Sequence, residues 1–192
     1  LIHAAAPEAY AGDLPPLVKS SRGGRIYEPM QPDNHRPSNP KIVALLIKAG
    51  ADCKIRDRER RTALIHYLRD GASDANLEVL ESLLRCGVDV NAQGDDGKTA
   101  LMFAAQETRS LATVAALLKA GAAIDVKDTQ GETALVLAAH FGKGASVLAA
   151  LLKAGANPFL KNKYGQLAYD FAIENFSLQK SAELSLLKPA QK

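Results

Sequence analysis

No tryptophan occurs in the 192 residues, and aromatic side chains make up only 5% of them. β-Sandwiches draw on aromatic and β-branched residues for their half-buried faces, so this poverty argues against one. The apolar 47% of the chain is instead rich in Ala and Leu, strong helix formers that suit close helix crossings. An all-α packing is expected, as a single domain over residues 1–192, long enough to bury one sizeable core.

Cysteine is almost as scarce. Cys53 and Cys86 form no Cys-x-x-Cys pair and have no clustered histidines, so no metal and no other cofactor is expected. Spacing alone weighs against a disulfide between them and leaves the redox compartment open. No apolar run of about eighteen residues exists, so no membrane span is expected. Even Leu135 to Leu152 is broken by His140 and Lys143. A signal peptide is absent, yet the chain begins at Leu1 rather than Met. That leaves open a missing leading segment, and with it cytoplasmic, periplasmic or secreted residence. A net charge of +3 favours solubility and falls short of a nucleic-acid or membrane footprint.

Catalytic signatures are missing too. His3, His35, His66 and His140 are scattered, and no Gly-x-Ser-x-Gly, His-Glu-x-x-His or paired-carboxylate pattern occurs. The expectation is a protein that is not an enzyme. Two stretches imitate ligand sites. Ala92 to Thr99 spells a relaxed phosphate loop ending in Gly97-Lys98-Thr99. However, Asp95 and Asp96 lie inside the supposed anion cradle, and no long buried strand precedes it. Asp89-x-Asn91-x-Gln93-Gly94 opens like a calcium loop, but its twelfth position is Ala100 instead of a bidentate Glu.

What the chain does contain is a repeat. "GDDGKTALMFAA" (94–105) returns as "DTQGETALVLAA" (128–139), "DRERRTALIHYL" (57–68) and "NKYGQLAYDFAI" (162–173), and the chain opens with "LIHAAA". A second phrase alternates with it: "LLIKAGADC" (45–53), "SLLRCGVDV" (82–90), "ALLKAGAAI" (116–124) and "ALLKAGANP" (150–158). Its glycines, Gly50, Gly87, Gly121 and Gly155, stand 37, 34 and 34 residues apart and suit the left-handed residue that ends a helix. Thr62, Thr99 and Thr133 sit at N-cap positions, with Ala63, Ala100 and Ala134 opening the helix. The pairs Ala104-Ala105 and Ala138-Ala139 permit close helix approach. Val43, Leu46 and Ile47, like Val114, Leu117 and Leu118, form an apolar stripe that one repeat cannot bury alone. In this reading Gly97 is a turn glycine, Lys98 an exposed turn residue and Thr99 a helix cap.

This pattern resembles the ankyrin repeat, whose period is about 33 residues. The resemblance implies an all-α solenoid of about five helix-turn-helix repeats with short hairpin-like fingers. The expected boundaries are 1–56 for the first repeat, then 57–93, 94–127, 128–161 and a capping repeat at 162–192. "GVDVNAQGDDGKTALMFAA" (87–105) is similar to bacterial members.

Departures from the repeat point to function better than the repeat itself. A long insertion, residues 7–38, separates "LIHAAA" from the helix start at Asn39-Pro40, and seven of nine prolines fall in the first forty residues. It carries Tyr10, Leu14, Leu17, Val18, Arg22, Arg25, Ile26, Tyr27 and Met30. A tolerated mobile loop and a partner-contacting segment both fit, the apolar content favouring contact. The second repeat has Arg60 where its neighbours have glycine, beside Arg56, Arg58 and Arg61. Such a cluster suits carboxylates on a protein partner; for phosphate or RNA, Asp57, Glu59, Asp95 and Asp96 dilute the field, and a plain solvated face fits equally. In the last repeat Leu167 replaces the Thr cap, and a more polar tail fits a wettable end.

In ankyrin proteins the finger tips and first-helix ends line a concave groove. Carried onto this chain, the fingers offer Arg58, Arg61, Asp95, Asp96, Lys98, Thr129, Gln130, Glu132, Lys163, Tyr164 and Gln166. The helix ends offer Arg69, Asp70, Gln106, Glu107, His140 and Phe141. Phe141 and Tyr164 are the candidate aromatic anchors. The resemblance implies a non-catalytic module that binds another protein and no small-molecule substrate, as a monomer or in a heteromeric complex. Holding or neutralising that partner, as an immunity protein does, is the expected role; a host-directed effector or adaptor is the alternative. Nucleic-acid binding through Arg56 to Arg61 and an unrecognised enzyme are the readings of another class.

Overall fold

A computed structural model describes residues 40–69, 77–107, 110–142, 145–179 and 181–188. Nine helices lie among these residues: α1 (Pro40–Lys48), α2 (Ala63–Arg69), α3 (Leu77–Arg85), α4 (Ala100–Glu107), α5 (Leu111–Lys119), α6 (Ala134–His140), α7 (Ala145–Lys153), α8 (Ala168–Ala172) and α9 (Glu183–Leu187). The insertion at 7–38, with Tyr10, Leu14, Leu17, Arg22, Arg25, Ile26, Tyr27 and Met30, lies outside the described residues. So does the opening "LIHAAA".

The helices stack in two rows. The inner row runs α2, α4, α6, α8, each packed on the next, and the outer row runs α1, α3, α5, α7, α9 in the same way. Within each repeat the inner helix also packs on the outer helix that follows it. Burial differs between the rows. Inner helices are covered nearly all round: Ala100 to Ala105 of α4 and Ala134 to Ala139 of α6 are all buried. Small alanines make this possible, because each inner helix must fit between two others. Outer helices bury one stripe, Val79, Leu80 and Leu83 in α3 and Val147, Leu148 and Leu151 in α7, with the opposite face in water.

The expected caps are present. Thr62, Thr99 and Thr133 hydroxyls each accept a 3.4 Å hydrogen bond from the N–H three residues on. Leu167 has no oxygen to offer, so the last inner helix is held by the reverse contact, in which the Asp170 carboxylate accepts from the Leu167 N–H at 2.8 Å. Outer helices end on the repeating glycines. At Gly121, with φ of +88°, the next N–H (Ala122) turns back to the Leu117 carbonyl at 3.0 Å, closing the helix end.

Two expectations fail. Cys53 and Cys86 form a disulfide, with Cα atoms 6.1 Å apart. Spacing argued against it only when read along the chain. The separation of 33 residues is about one repeat period, so the stack lays the two positions side by side. The terminal repeat is also less polar than its tail suggested, exposing Tyr164, Ile173, Phe176 and Leu186.

Candidate functional site

Four turns enter the inner helices: Asp57–Arg61, Gly94–Lys98, Asp128–Glu132 and Asn162–Gln166. Each is closed by a backbone bond from its first N–H to its fifth carbonyl, at 2.9, 3.2, 2.9 and 3.0 Å. In three of them the first side chain organises the turn. Oδ1 of Asp57, Asp128 and Asn162 accepts from the N–H groups two and four residues on, at 2.8–2.9 Å. Gly94 has no such oxygen, and Asp96 Oδ1 takes the Lys98 N–H instead at 3.0 Å. These Asx positions recur at the repeat period.

Neighbouring turns are tied to one another. Asp95 N–H donates to the Glu59 carbonyl (3.0 Å), Thr129 N–H to Asp96 (3.0 Å) and Lys163 N–H to Gln130 (2.9 Å). A row of backbone bonds therefore presents the finger tips in fixed order, so a partner meets an organised surface.

Charges on this surface are largely satisfied at its N-terminal end. Arg56 pairs with Asp89 at 3.0 Å, Arg61 with Glu59, and His66 Nε2 meets Asp57 Oδ2 at 2.7 Å. That leaves Arg58 and Arg60 as exposed arginines without an ion pair among the described residues. The four arginines do not add up to a continuous cationic patch. Asp89, engaged by Arg56 and by the Asn91 N–H (3.0 Å), is committed to the scaffold.

Lys98 is half-buried, not exposed as expected. Its Nζ donates to Gln106 Oε1 at 3.2 Å and stands 5.8 Å from the Phe103 ring centroid. The Gly-Lys-Thr run is thus a turn glycine, a groove-bridging lysine and a helix cap.

The C-terminal end is aromatic. His140 stacks on Phe141 with centroids 3.8 Å apart and lies 4.6 Å from Phe171. Phe141 is 48% exposed, and Tyr164 is 73% exposed with its hydroxyl donating to Gln130 Oε1 at 3.1 Å. Asn175 Nδ2 donates to the carbonyls of Ala139 (2.9 Å), His140 (3.3 Å) and Gly142 (3.3 Å). This clamp sets the turn carrying Ile173 and Phe176 against the end of α6, beside Phe141. Phe176 is 84% exposed. Nothing in the repeat pattern marked Ile173 or Phe176; their signal was two large apolar residues where the tail turns polar.

A family model of ankyrin repeats (3 copies) matches residues 35–128 and 68–162, together two thirds of the chain. The chain belongs to the ankyrin-repeat family. It is also similar to Ankyrin repeat and SOCS box protein 6 of Homo sapiens and of Pongo abelii, 34% identical over 95 residues in each case. That alignment covers 46% of this chain and 23% of the relative, so the chain spans about a quarter of the length of these curated relatives. Both are primate proteins, and the comparisons lend no support to a bacterial origin.

Ankyrin repeats are general protein–protein interaction modules, and the family is typically non-catalytic. Among the described residues no group of three or more His, Cys, Asp or Glu is placed to hold a metal ion. None of the described helices is long and apolar enough to cross a membrane. On this ankyrin stack Asp95, Asp96, Gln130, Lys163, Arg69 and His140 are exposed, whereas Arg61, Gln106 and Glu132 are half-buried.

Burial raises the Glu132 carboxyl above its ordinary value; Asp128 adds to the rise, while Lys98 and His140 oppose it. The folded protein then binds this proton more tightly than the unfolded chain. The contribution to stability is complete below the unfolded pKa and is lost as pH rises through the folded one. Glu132→Gln is expected to raise Tm at about pH 7 and to leave it unchanged at about pH 3. Thermal unfolding at both pH values checks this; a lower Tm at neutral pH would mean that the carboxylate holds the groove together.

Proposed function

We propose that this ankyrin stack binds one partner protein along its finger tips and inner-helix ends and acts by covering that partner's working surface. The observation that carries this reading is the aromatic end of the groove. Phe141 stacks on His140, which also meets Phe171, and Asn175 holds the turn carrying the exposed Ile173 and Phe176 against the same end of α6. Exposed apolar side chains gathered in one place, on a surface held rigid by backbone bonds, are what a binding hot spot needs. Arg58, Arg60, Asp95, Asp96 and Lys163 at the finger tips would then set orientation and on-rate more than affinity. Holding or neutralising the partner, in the manner of an inhibitor or immunity protein, is the role we favour. A rigid covering surface needs no chemistry of its own.

Affinity capture from cell lysate, with the intact chain and the double variant Phe141→Ala/Tyr164→Ala as parallel baits, identifies the partner. Titration of the captured protein then measures each interaction. The double variant is expected to lose about 2–4 kcal/mol, about 30-fold or more in Kd, mainly through faster dissociation. Arg58→Ala/Arg60→Ala is expected to change the association rate and its salt dependence only a few-fold. A captured partner that binds the double variant as tightly as the intact chain would remove the aromatic end from the site. Replacing residues 9–37 with a short Gly/Ser link tests whether the insertion contributes; retention of full affinity would exclude it.

A further inference from the structure

The first outer helix buries few of its own side chains. Among the described side chains of α1, Val43 alone is buried, while Leu45 is exposed; just beyond the helix, Ile55 is exposed as well. Outer helices deeper in the stack each bury three residues, as with Thr113, Val114 and Leu117 in α5. Among the described helices, α1 packs chiefly against α3.

Both cysteines of the chain fall at this junction. Cys53 follows the Gly50 turn that ends α1 and is itself buried, and Cys86 follows the last residue of α3 and is half-buried. Measured from the helix-ending glycines, the matching positions at the next two junctions are Val90 with Ala120 and Ile124 with Ala154. Val90 and Ile124 are partly buried against the core. Where later repeats place apolar side chains, this junction places a covalent bond.

We propose that the Cys53–Cys86 disulfide is a reducible latch that keeps α1 docked on α3, so that the N-terminal edge of the stack responds to the thiol balance of its surroundings. The inference stands independently of the partner-binding reading. A dithiol supplies the reducing equivalents. Its thiolate attacks the Cys86 sulfur, the less buried of the two; the S–S bond breaks, and Cys53 leaves as a thiolate that takes a proton from water. The second thiol of the reductant then resolves the mixed disulfide and releases Cys86, which ends as a thiol. Two electrons and two protons reach the protein, and the dithiol becomes its own disulfide. In an oxidising compartment the latch is closed, and in a reducing cytosol it is open.

Hydrogen–deuterium exchange on the full chain, with and without dithiothreitol, reads the latch. Reduction is expected to speed exchange of the amides of residues 41–50 by about tenfold or more, while α4 to α7 stay protected. Cys53→Val/Cys86→Ala installs the pair found at the next junction and so is expected to fold. Its α1 is expected to exchange as fast as that of the reduced protein, with no response to dithiothreitol. Three results would overturn the proposal. These are unchanged protection of α1 on reduction, loss of protection throughout the stack at once, or a response to reductant in the variant that lacks both cysteines. Mass spectrometry of the air-oxidised protein showing two free thiols would overturn it as well.

Discussion

Gly97→Ala is expected to destabilise the protein by about 3 kcal/mol in urea unfolding, against about 1 kcal/mol for Gly165→Ala. Both glycines are at the same place in a finger and take similar left-handed φ angles, +76° and +79°. The backbone cost of a β-carbon is therefore shared, and only the surroundings differ. A Cβ on Gly97 would lie 2.7 Å from the Thr129 backbone nitrogen and 3.0 Å from the Asp128 Cα, while one on Gly165 meets nothing within 4 Å. Thr129 N–H is the group that ties its finger to the Asp96 carbonyl, so the clash also disrupts that bond. Equal losses at the two sites would mean that finger-to-finger contact adds nothing to stability. The first finger supplies the converse case. Arg60 holds φ of +60° with a full side chain, and the next finger begins with Gly94, where later fingers begin with Asp128 and Asn162. Arg60→Gly is accordingly expected to stabilise, by about 1 kcal/mol.

Leu137→Ala is expected to cost about 3 kcal/mol and to make unfolding less cooperative. Leu137 has no exposed surface and lies in α6, which packs on α4, α7 and α8. Removing three buried carbons there loses transfer free energy and leaves a cavity that rigid neighbours refill only in part. In a linear stack each unit is stabilised mainly by its neighbours. A defect in the middle weakens both inner-row junctions of α6 at once, and the flanking repeats then unfold more independently. The urea transition is expected to shift to lower midpoint with a reduced apparent m-value. A parallel shift with unchanged slope would show that the stack still unfolds as one unit.

Much of this architecture can be read along the chain. Thr62, Thr99 and Thr133 marked helix starts because a hydroxyl satisfies N–H groups that have no partner within the helix, and all three do so. Gly50, Gly87, Gly121 and Gly155 marked helix ends because a left-handed residue without a β-carbon closes them most easily, and all four have positive φ. Such signals are local, settled within one turn of chain. The groove residues were legible as positions for the same reason, since the period places them; their company was not. Lys98 read as an exposed finger residue, yet it bridges to Gln106 across the groove. Ile173 and Phe176 read as part of a terminal cap, yet Asn175 sets them beside Phe141.

The sequence by itself determined the repeat, its period, the apolar stripe of the outer helices, the small residues that let the inner ones pack closely, and the absence of any recognisable catalytic motif. Each follows from local hydrogen-bonding needs and from apolar spacing, which do not depend on what lies one repeat away. Only the tertiary structure decided which residues meet across repeats. It joined Cys53 to Cys86, turned Arg56 toward Asp89, and gathered the aromatic end of the groove from residues more than thirty positions apart. Stacking converts one period of sequence into direct contact, and the chemistry at each contact depends on two side chains that no local rule reads together.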